Sequence, residues 1–255
     1  MIGDIGQFQP AAEKPDTSYT EDTFLKGRIR IRQPRLGYRF SLDAPVLAHA
    51  ARPRSGDTVL DLGTGCGVIP VLIGSRNKDI RIYAVEMQEE LASLAKENVI
   101  LNRLESQIHI LHADMRTMDY ASIPLPVDMV VSNPPYRRIS SGRINPNTQR
   151  AMARHEVSIT LRDLLRVVRS ALKTGGKLIM IYSAGRLAEL FSALDAYGLQ
   201  PKMLRTLHTY QKSAAKICLI EAVKGACPEI TIEPPLIIYQ SKGVYTHELH
   251  QMLIA

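Results

Sequence analysis

The chain has 255 residues, of which 45% are hydrophobic and 22% are charged, and its formal net charge is +7. These proportions are ordinary for a soluble globular protein. Its three cysteines lie far apart and form no C-x-x-C pair, which argues against a zinc site and for a reducing compartment. No apolar stretch approaches the ~20 residues of a membrane-spanning helix, and the N-terminus lacks a signal-peptide pattern. We therefore expect a cytoplasmic protein without a metal. The sequence leaves the oligomeric state open, and a monomer is favoured.

The first segment, residues 1–21, is polar, contains two prolines and lacks hydrophobic periodicity. This composition predicts a flexible leader. We expect the remainder, residues 22–255, to form a single domain.

A basic hairpin is predicted within residues 22–43. Residues 28–32 alternate arginine and isoleucine, which indicates a strand with one basic and one apolar face. A turn at residues 33–34 and a second arm at residues 37–41 complete the hairpin. This segment has six basic residues and no acid between its first and last basic positions: Lys26, Arg28, Arg30, Arg32, Arg35 and Arg39. A solvated strand face is one interpretation, but the excess of arginine with Tyr38 and Phe40 interleaved favours contact with nucleic acid.

Helices and strands then alternate along the chain, which predicts an α/β fold with a mostly parallel sheet and helices on both faces. The helical patterns lie at residues 44–51, 68–76, 88–103, 157–173 and 185–197. Seven strands are expected, at residues 57–62, 81–86, 108–114, 127–131, 177–183, 202–209 and 216–223.

A glycine-rich loop follows the first of these strands. Gly63, Gly65 and Gly67 allow a ligand to approach the backbone and the start of the next helix. Asp61 precedes the loop, and a carboxylate aimed into it disfavours a pyrophosphate but suits an ammonium group. Glu86 ends the next strand, where an acid can accept hydrogen bonds from a ribose diol.

This combination resembles the cofactor loop of class I S-adenosylmethionine-dependent methyltransferases. The resemblance implies a Rossmann-like core over residues 57–223, with residues 224–255 as a C-terminal extension. It implies that the glycine loop holds the methionine part of the cofactor, that Glu86 binds the ribose and that Asp114 faces the adenine amino group. The cofactor-binding residues that we expect in this core are Asp61, Gly63, Thr64, Gly65, Gly67, Glu86, Met87, Asp114, Met115 and Asn133. The narrower family resemblance of residues 25–43, described below, implies that Tyr38, Phe40, Ser41 and Asp43 close over the cofactor.

The fourth strand ends abruptly in Asn133-Pro134-Pro135-Tyr136. Two prolines remove backbone donors and hold the chain extended, so the strand cannot continue. The amide oxygen of Asn133 and the carbonyl of Pro134 can accept hydrogen bonds from a planar NH2 group, and Tyr136 can stack on its ring. The motif resembles the N-P-P-Y motif of amino methyltransferases, which implies direct methyl transfer with these four residues as the catalytic set. A proline-capped surface loop is the alternative.

A second basic segment covers residues 137–154 and again lacks an acid. A loop of this length in a compact domain is usually functional or disordered. We expect its arginines to contact RNA: Arg137, Arg138, Arg143, Arg150 and Arg154.

Residues 25–43, with shorter matches at residues 153–156, 212–216, 235–239 and 245–246, are similar to the tRNA(Val) adenine N6-methyltransferase family. This resemblance implies methylation of the adenosine next to the anticodon, with tRNA as partner. The alternatives are an rRNA guanine-N2 or adenine-N6 methyltransferase, a protein-glutamine N5-methyltransferase, and a cofactor-binding RNA-binding module without turnover. The N-P-P-Y motif by itself does not distinguish among these bases and substrates.

Overall fold

The computed structural model describes residues 19–36, 39–118, 120–134 and 159–254. Within them, one mixed sheet carries helices on both faces, and two small antiparallel ribbons flank it. The predicted α/β class with a mostly parallel sheet is therefore confirmed.

The N-terminal hairpin pairs β1 (Tyr19–Phe24) with β2 (Ile29–Pro34). The alternating strand was predicted correctly, because its isoleucines are buried and its arginines are not. Its partner was predicted wrongly, since the second arm precedes it and residues 39–41 form no strand. The physical reason is a tight turn at residues 25–27, where three consecutive residues have positive φ angles of 51°, 57° and 81°. β1 thus begins inside the segment expected to be a leader.

This hairpin is less basic in space than in sequence. Glu21 on β1 contacts Arg30 at 2.7 Å and Arg32 at 3.6 Å, and Arg39 donates to the hydroxyl of Thr20 at 2.8 Å. The Arg30 guanidinium holds the pKa of the Glu21 carboxyl below its ordinary value. The acid-free stretch of sequence therefore faces an acid on the neighbouring strand.

The central sheet has the order β10-β8-β9-β7-β6-β3-β4-β5, with β11 also paired to β8. β3, β4, β5, β6 and β7 run parallel to one another, whereas β9 runs antiparallel to both β7 and β8. The strands are β3 (Thr58–Leu62), β4 (Arg81–Glu86), β5 (Ile108–His112), β6 (Val127–Ser132), β7 (Leu172–Ser183), β8 (Leu199–His208), β9 (Ile217–Lys224), β10 (Thr231–Ile232) and β11 (Leu236–Ile237).

The sheet has nine strands and not the seven expected. β3 to β9 are the seven predicted strands, and β10 and β11 add two short parallel strands to the edge formed by β8. With two residues each, they are too short to produce a strand pattern in the sequence. A separate ribbon of β12 (Tyr239–Ser241) and β13 (Val244–Tyr245) follows them.

Two hydrophobic clusters, one on each side of the sheet, pack the helices against the strands. The fourth helix has a capping box in which the side chains of Thr160 and Asp163 satisfy each other's backbone N–H groups. None of the helices in the described residues is long and apolar enough to cross a membrane. The helices are α1 (Asp43–Ala50), α2 (Val68–Arg76), α3 (Glu89–Leu101), α4 (Leu161–Ala171), α5 (Leu187–Ala196) and α6 (His247–Ile254).

The hairpin is anchored to two helices, α3 and α6. The buried side chain of Asn98 on α3 accepts a hydrogen bond from the N–H of Arg32 at 2.8 Å and donates one to its carbonyl at 2.8 Å. Asn102 makes the equivalent pair of bonds to Arg30, at 3.0 and 2.7 Å. At the turn, the N–H of Leu25 donates to the carbonyl of Leu253 in α6 at 3.3 Å.

Candidate active site

Four neighbouring parallel strands end level with one another. The register pairs Leu62 of β3 with Val85 of β4, and Glu86 of β4 with His112 of β5. The Ser132 hydroxyl at the end of β6 donates a hydrogen bond to the Leu62 carbonyl at 2.8 Å. The segments that follow these strands therefore meet at one edge of the sheet, where ligands bind in open α/β folds.

The glycine loop occupies the centre of this edge. Gly63, Gly65 and Gly67 have φ angles of 79°, 58° and 81°, which only glycine adopts readily. The N–H groups of Gly63 and Thr64 both donate to the carbonyl of Val85, at 2.9 and 3.0 Å. These bonds fix the loop against β4 and leave the first turn of α2 directed at the same edge.

Asp61 and Thr64 carry buried oxygens without partners. Asp61 is fully buried, and neither of its carboxyl oxygens nor the Thr64 hydroxyl has a hydrogen-bond partner among the described residues. Burial raises the pKa of Asp61 to about 7, the Glu86 carboxylate adds to this shift, and the nearby Thr64 hydroxyl opposes it. Buried oxygens in this state bind a donor group favourably, because leaving them unpaired is costly.

Glu86 is held by the backbone at the end of β4. One carboxyl oxygen accepts a hydrogen bond from the Gly65 N–H at 2.8 Å, and the other accepts from the Gln88 N–H at 2.9 Å. Only 7% of the residue is exposed. Each oxygen keeps a further lone pair, so the carboxylate can also accept from hydroxyl groups of a ligand. Met87 follows it, and its carbonyl lies 3.1 Å from a ring nitrogen of His112.

Asp114 has a partner that the sequence did not reveal. Arg116 donates from Nε to both carboxyl oxygens, at 2.9 and 3.1 Å, and its backbone N–H also donates to Asp114. The guanidinium holds the pKa of Asp114 below its ordinary value. Met115 beside it is buried, and its methyl group would lie 4.0 Å from a Cβ atom at Gly63. The position of Arg116, two residues after Asp114, was the sequence signal that could have predicted this ion pair.

Asn133 directly follows β6. Its side-chain oxygen is buried and has no hydrogen-bond partner among the described residues. Pro134 is the last described residue of this turn. The structure thus brings the motif's first amide acceptor to the edge that carries the glycine loop.

Several predicted residues lie outside the described residues: Tyr38, Pro135, Tyr136, Arg137, Arg138, Arg143, Arg150 and Arg154.

Ser41 and Asp43 lie at a neighbouring cavity of about 1040 Å³. This cavity lies between the start of α1 and the ends of β7 and β8, and sequence reasoning did not identify it. Phe40, which precedes Ser41, packs against Phe24 of the hairpin, with ring centroids 5.8 Å apart. The other polar residues that line the cavity are Ser183, Arg186, Glu189, His208, Thr209 and Lys216.

No group of three or more histidine, cysteine or acidic side chains that could hold a metal occurs in the part of the chain that the structure describes.

Comparison with known proteins places these features in a family. Residues 43–195 match the family model described as "Methyltransferase small domain". A relative from Dyadobacter fermentans, named tRNA1(Val) (adenine(37)-N6)-methyltransferase, is 27% identical over 87% of this chain and 90% of its own length. A relative from Bacteroides thetaiotaomicron with the same name is 32% identical over 62% of this chain and 65% of its own length.

Solved structures share the fold. A predicted O-methyltransferase from Agrobacterium tumefaciens is 21% identical, with a TM-score of 0.65 over 82% of this chain and 94% of its own. TrmN from Thermus thermophilus is 25% identical, with a TM-score of 0.52 over 71% of this chain and 48% of its own. The chain belongs to the methyltransferase small domain family, whose methyl donor is S-adenosylmethionine.

Proposed function

We propose that the chain methylates the exocyclic N6 of an adenine in tRNA, the adenosine next to the anticodon of a valine tRNA. The relatives named for this reaction align over most of the chain, which supports the substrate. A tRNA substrate also fits a cytoplasmic enzyme with a pI of about 9.4. The observation that carries the proposal is the buried, unpartnered Oδ1 of Asn133 beside the glycine loop.

The residues at the strand ends fit S-adenosylmethionine. The unpartnered carboxyl oxygens of Asp61 suit its ammonium group, and the backbone at Gly63 and Gly65 leaves room for its methionine part. Glu86 would bind the ribose hydroxyls, and Asp114 would accept from the adenine amino group. When bound, the cofactor supplies an electrophilic methyl group on a sulfonium. We assign supporting cofactor contacts to Thr64, Gly67, Met87, Met115, Asn133, Tyr38, Phe40, Ser41 and Asp43.

The acceptor nitrogen is held by the N-P-P-Y turn. Asn133 Oδ1 and the carbonyl of Pro134 would accept hydrogen bonds from the two N–H groups of the adenine amino group, which would leave the nitrogen lone pair available for the methyl group. On transfer, N6 would lose one proton to water. We assign stacking on the base to Tyr136, and Pro135 completes the proposed catalytic set. No covalent nucleophile takes part, and burial raises the pKa of the Cys66 thiol in the glycine loop to about 12.

The RNA backbone is contacted by basic residues on either side of this turn in the sequence. On the hairpin, Lys26 and Arg35 are exposed and form no ion pair with any described residue. Arg30 and Arg32 share Glu21, so they bind phosphate only in competition with it. The other proposed contacts are Arg28, Arg39, Arg137, Arg138, Arg143, Arg150 and Arg154.

The test is methylation of total RNA from a strain that lacks the protein. The purified chain is incubated with this RNA and labelled S-adenosylmethionine, and the nucleosides are separated. We expect label in N6-methyladenosine from the tRNA fraction, and specifically from a valine tRNA isolated by hybridisation. Label in guanosine or in a protein glutamine would replace the proposal by one of the other amino-methyltransferase reactions. Binding of RNA without any labelled product would indicate a non-catalytic module.

A further inference from the structure

Three tyrosines form an aromatic cluster between the turn after β8 and the β12–β13 ribbon, and nothing in the proposed reaction uses them. The ring centroids of Tyr210 and Tyr239 lie 5.8 Å apart, and those of Tyr239 and Tyr245 lie 5.2 Å apart. Tyr239 is therefore the middle ring. The outer two remain 40% and 37% exposed. Large aromatic surfaces left open in this way mark interaction sites more often than isolated exposed residues do.

The cluster is held in place by backbone hydrogen bonds on both sides. The Ser213 hydroxyl bonds the N–H and the carbonyl of Tyr210 at 2.9 and 2.8 Å, which closes a tight turn. The N–H of Tyr239 donates to the carbonyl of Thr209 at 3.0 Å, so the C-terminal segment continues alongside β8. The Thr246 hydroxyl donates to the carbonyl of Ile237 at 2.6 Å. A surface fixed before binding loses little conformational entropy when a ligand stacks on it.

Three lysines lie near the cluster along the chain. Lys212, Lys216 and Lys242 are exposed, and none of the three forms an ion pair with another residue in the described parts of the chain. Exposed aromatic rings with unpaired lysines beside them fit a single-stranded nucleic acid, whose bases stack while its phosphates bind the cations.

The cluster also adjoins the edge of the sheet where the reaction takes place. β9 runs antiparallel to β7 and β8, so its start, the end of β7 and the end of β8 lie at the same edge as Asn133. His208 lines both the cavity of about 1040 Å³ next to this edge and a second one of about 320 Å³ that is lined by Tyr239. The tyrosines thus lie at the same edge of the sheet as the proposed acceptor site, on the far side of the larger cavity.

We propose that the outer rings, Tyr210 and Tyr245, stack on unpaired bases of the RNA substrate that flank the methylated adenosine, with Tyr239 between them as support, while the three lysines bind its phosphates. This inference rests on the proposed function, because it names how the same substrate is held outside the acceptor site. A tyrosine cluster that only packs the β12–β13 ribbon against the preceding turn is the alternative.

The test separates aromaticity from apolar packing. Tyr210→Leu and Tyr245→Leu keep an apolar side chain but remove the stacking ring, whereas Tyr210→Phe and Tyr245→Phe keep it. We expect each leucine variant to raise the KM and the Kd for a valine-tRNA anticodon stem-loop about tenfold with kcat nearly unchanged. The phenylalanine variants should stay within about twofold of the wild type.

Tyr83→Leu serves as the matched control. Tyr83 stacks on His109 with ring centroids 5.1 Å apart, but it lies within β4 and away from the C-terminal segment. Its substitution should leave RNA affinity unchanged. Leucine variants that keep wild-type KM while the wild type methylates the stem-loop would overturn the stacking proposal. If the leucine variants lose as much affinity for a fully paired RNA helix as for the stem-loop, the stacking proposal is overturned too. If the wild type methylates no RNA, the proposed function itself fails.

Discussion

The side chain of Asn98 donates a hydrogen bond to the carbonyl of Cys66 at 2.8 Å, while it also bonds both backbone groups of Arg32. Cys66 belongs to the glycine loop, and Arg32 belongs to the N-terminal hairpin. One fully buried amide on α3 therefore connects the predicted cofactor loop to the predicted RNA-binding hairpin.

Asn98→Ala should lower the free energy of unfolding by about 3 kcal/mol, because one buried and two partly buried backbone groups lose their partner. Urea unfolding measures this loss, and calorimetry should show weaker binding of S-adenosylmethionine. Asn102→Ala is the matched control, since Asn102 bonds Arg30 in the same way but makes no bond to the glycine loop. It should cost about 1 kcal/mol and leave cofactor affinity unchanged. Equal effects of both variants on cofactor affinity would contradict this connection.

Gly67→Ala should destabilise the chain by about 3 kcal/mol, for two separate reasons. Its φ angle is 81°, and a Cβ atom would lie 3.1 Å from Cβ and 3.3 Å from Cα of Ala95 in α3. Gly56→Ala separates the backbone strain from the steric clash, because Gly56 has a φ angle of 84° but nothing lies within 4 Å of the added Cβ atom. That control should cost only about 1 kcal/mol. Thermal unfolding of both variants checks the difference, and equal losses would show that packing against α3 contributes nothing.

Asp61→Asn should stabilise the cofactor-free chain at high pH. Burial raises the pKa of Asp61 in the folded state to about 7, above its ordinary value of 3.8. The folded state therefore binds more protons, and the stability this provides is lost as the pH rises towards 7. The variant's advantage should grow from pH 4 to pH 7 by up to about 4 kcal/mol and then level off.

Urea unfolding of both proteins at several pH values measures this advantage. Adding S-adenosylmethionine at pH 8 should stabilise the wild type more than the variant, because only an ionised carboxylate binds its ammonium group. A difference between the proteins that does not change with pH would show that Asp61 is ionised throughout.

Asn133→Ala should lower kcat by at least about 100-fold, because one acceptor for the substrate amino group is lost. Asn133→Asp keeps an acceptor oxygen and should retain activity within about tenfold of the wild type. Transfer of label to valine tRNA gives kcat, and calorimetry should show S-adenosylmethionine affinity within about fivefold for both variants. Near-normal kcat in the alanine variant would remove Asn133 from the mechanism.

Glu21→Gln should strengthen RNA binding, since it frees Arg30 and Arg32 from their shared acid. If these arginines contact phosphate, the slope of log K against log salt steepens by about one. Filter binding at several salt concentrations measures the slope. Glu229→Gln makes the same change of charge beside β10, at the other end of the sheet, and should have no effect. Equal slopes in both variants would place the RNA away from the hairpin.

The core of the fold was predictable because its signals are local. Gly63 to Gly67 follow an apolar run, Glu86 ends the next one, and Asn133 stops a third at two prolines. Parallel strands bring such ends together without further information. The same rule could not predict the hairpin, since its partner strand is polar and half-exposed, and its turn depends on positive φ angles at Leu25 and Lys26.

Long-range contacts were equally invisible in the sequence. Nothing in the sequence near Asn98 indicates that its side chain bonds Arg32, which lies 66 residues earlier in the chain. The tyrosine cluster joins residues from a turn and a ribbon that have no periodic pattern. The cavity beside α1 likewise depends on an antiparallel β9, which a repeated β-α order does not predict.

The bond between Leu25 and Leu253 has a consequence for synthesis of the chain. Translation produces the hairpin early, but its turn bonds α6, which lies at the opposite end of the chain. Its other anchors, Asn98 and Asn102, also emerge later. The hairpin therefore has no fixed position until α3 has emerged, and its turn is secured only when α6 follows. A ribosome-bound fragment that ends before α3 should expose this hairpin to protease, and a fragment that extends past α3 should protect it.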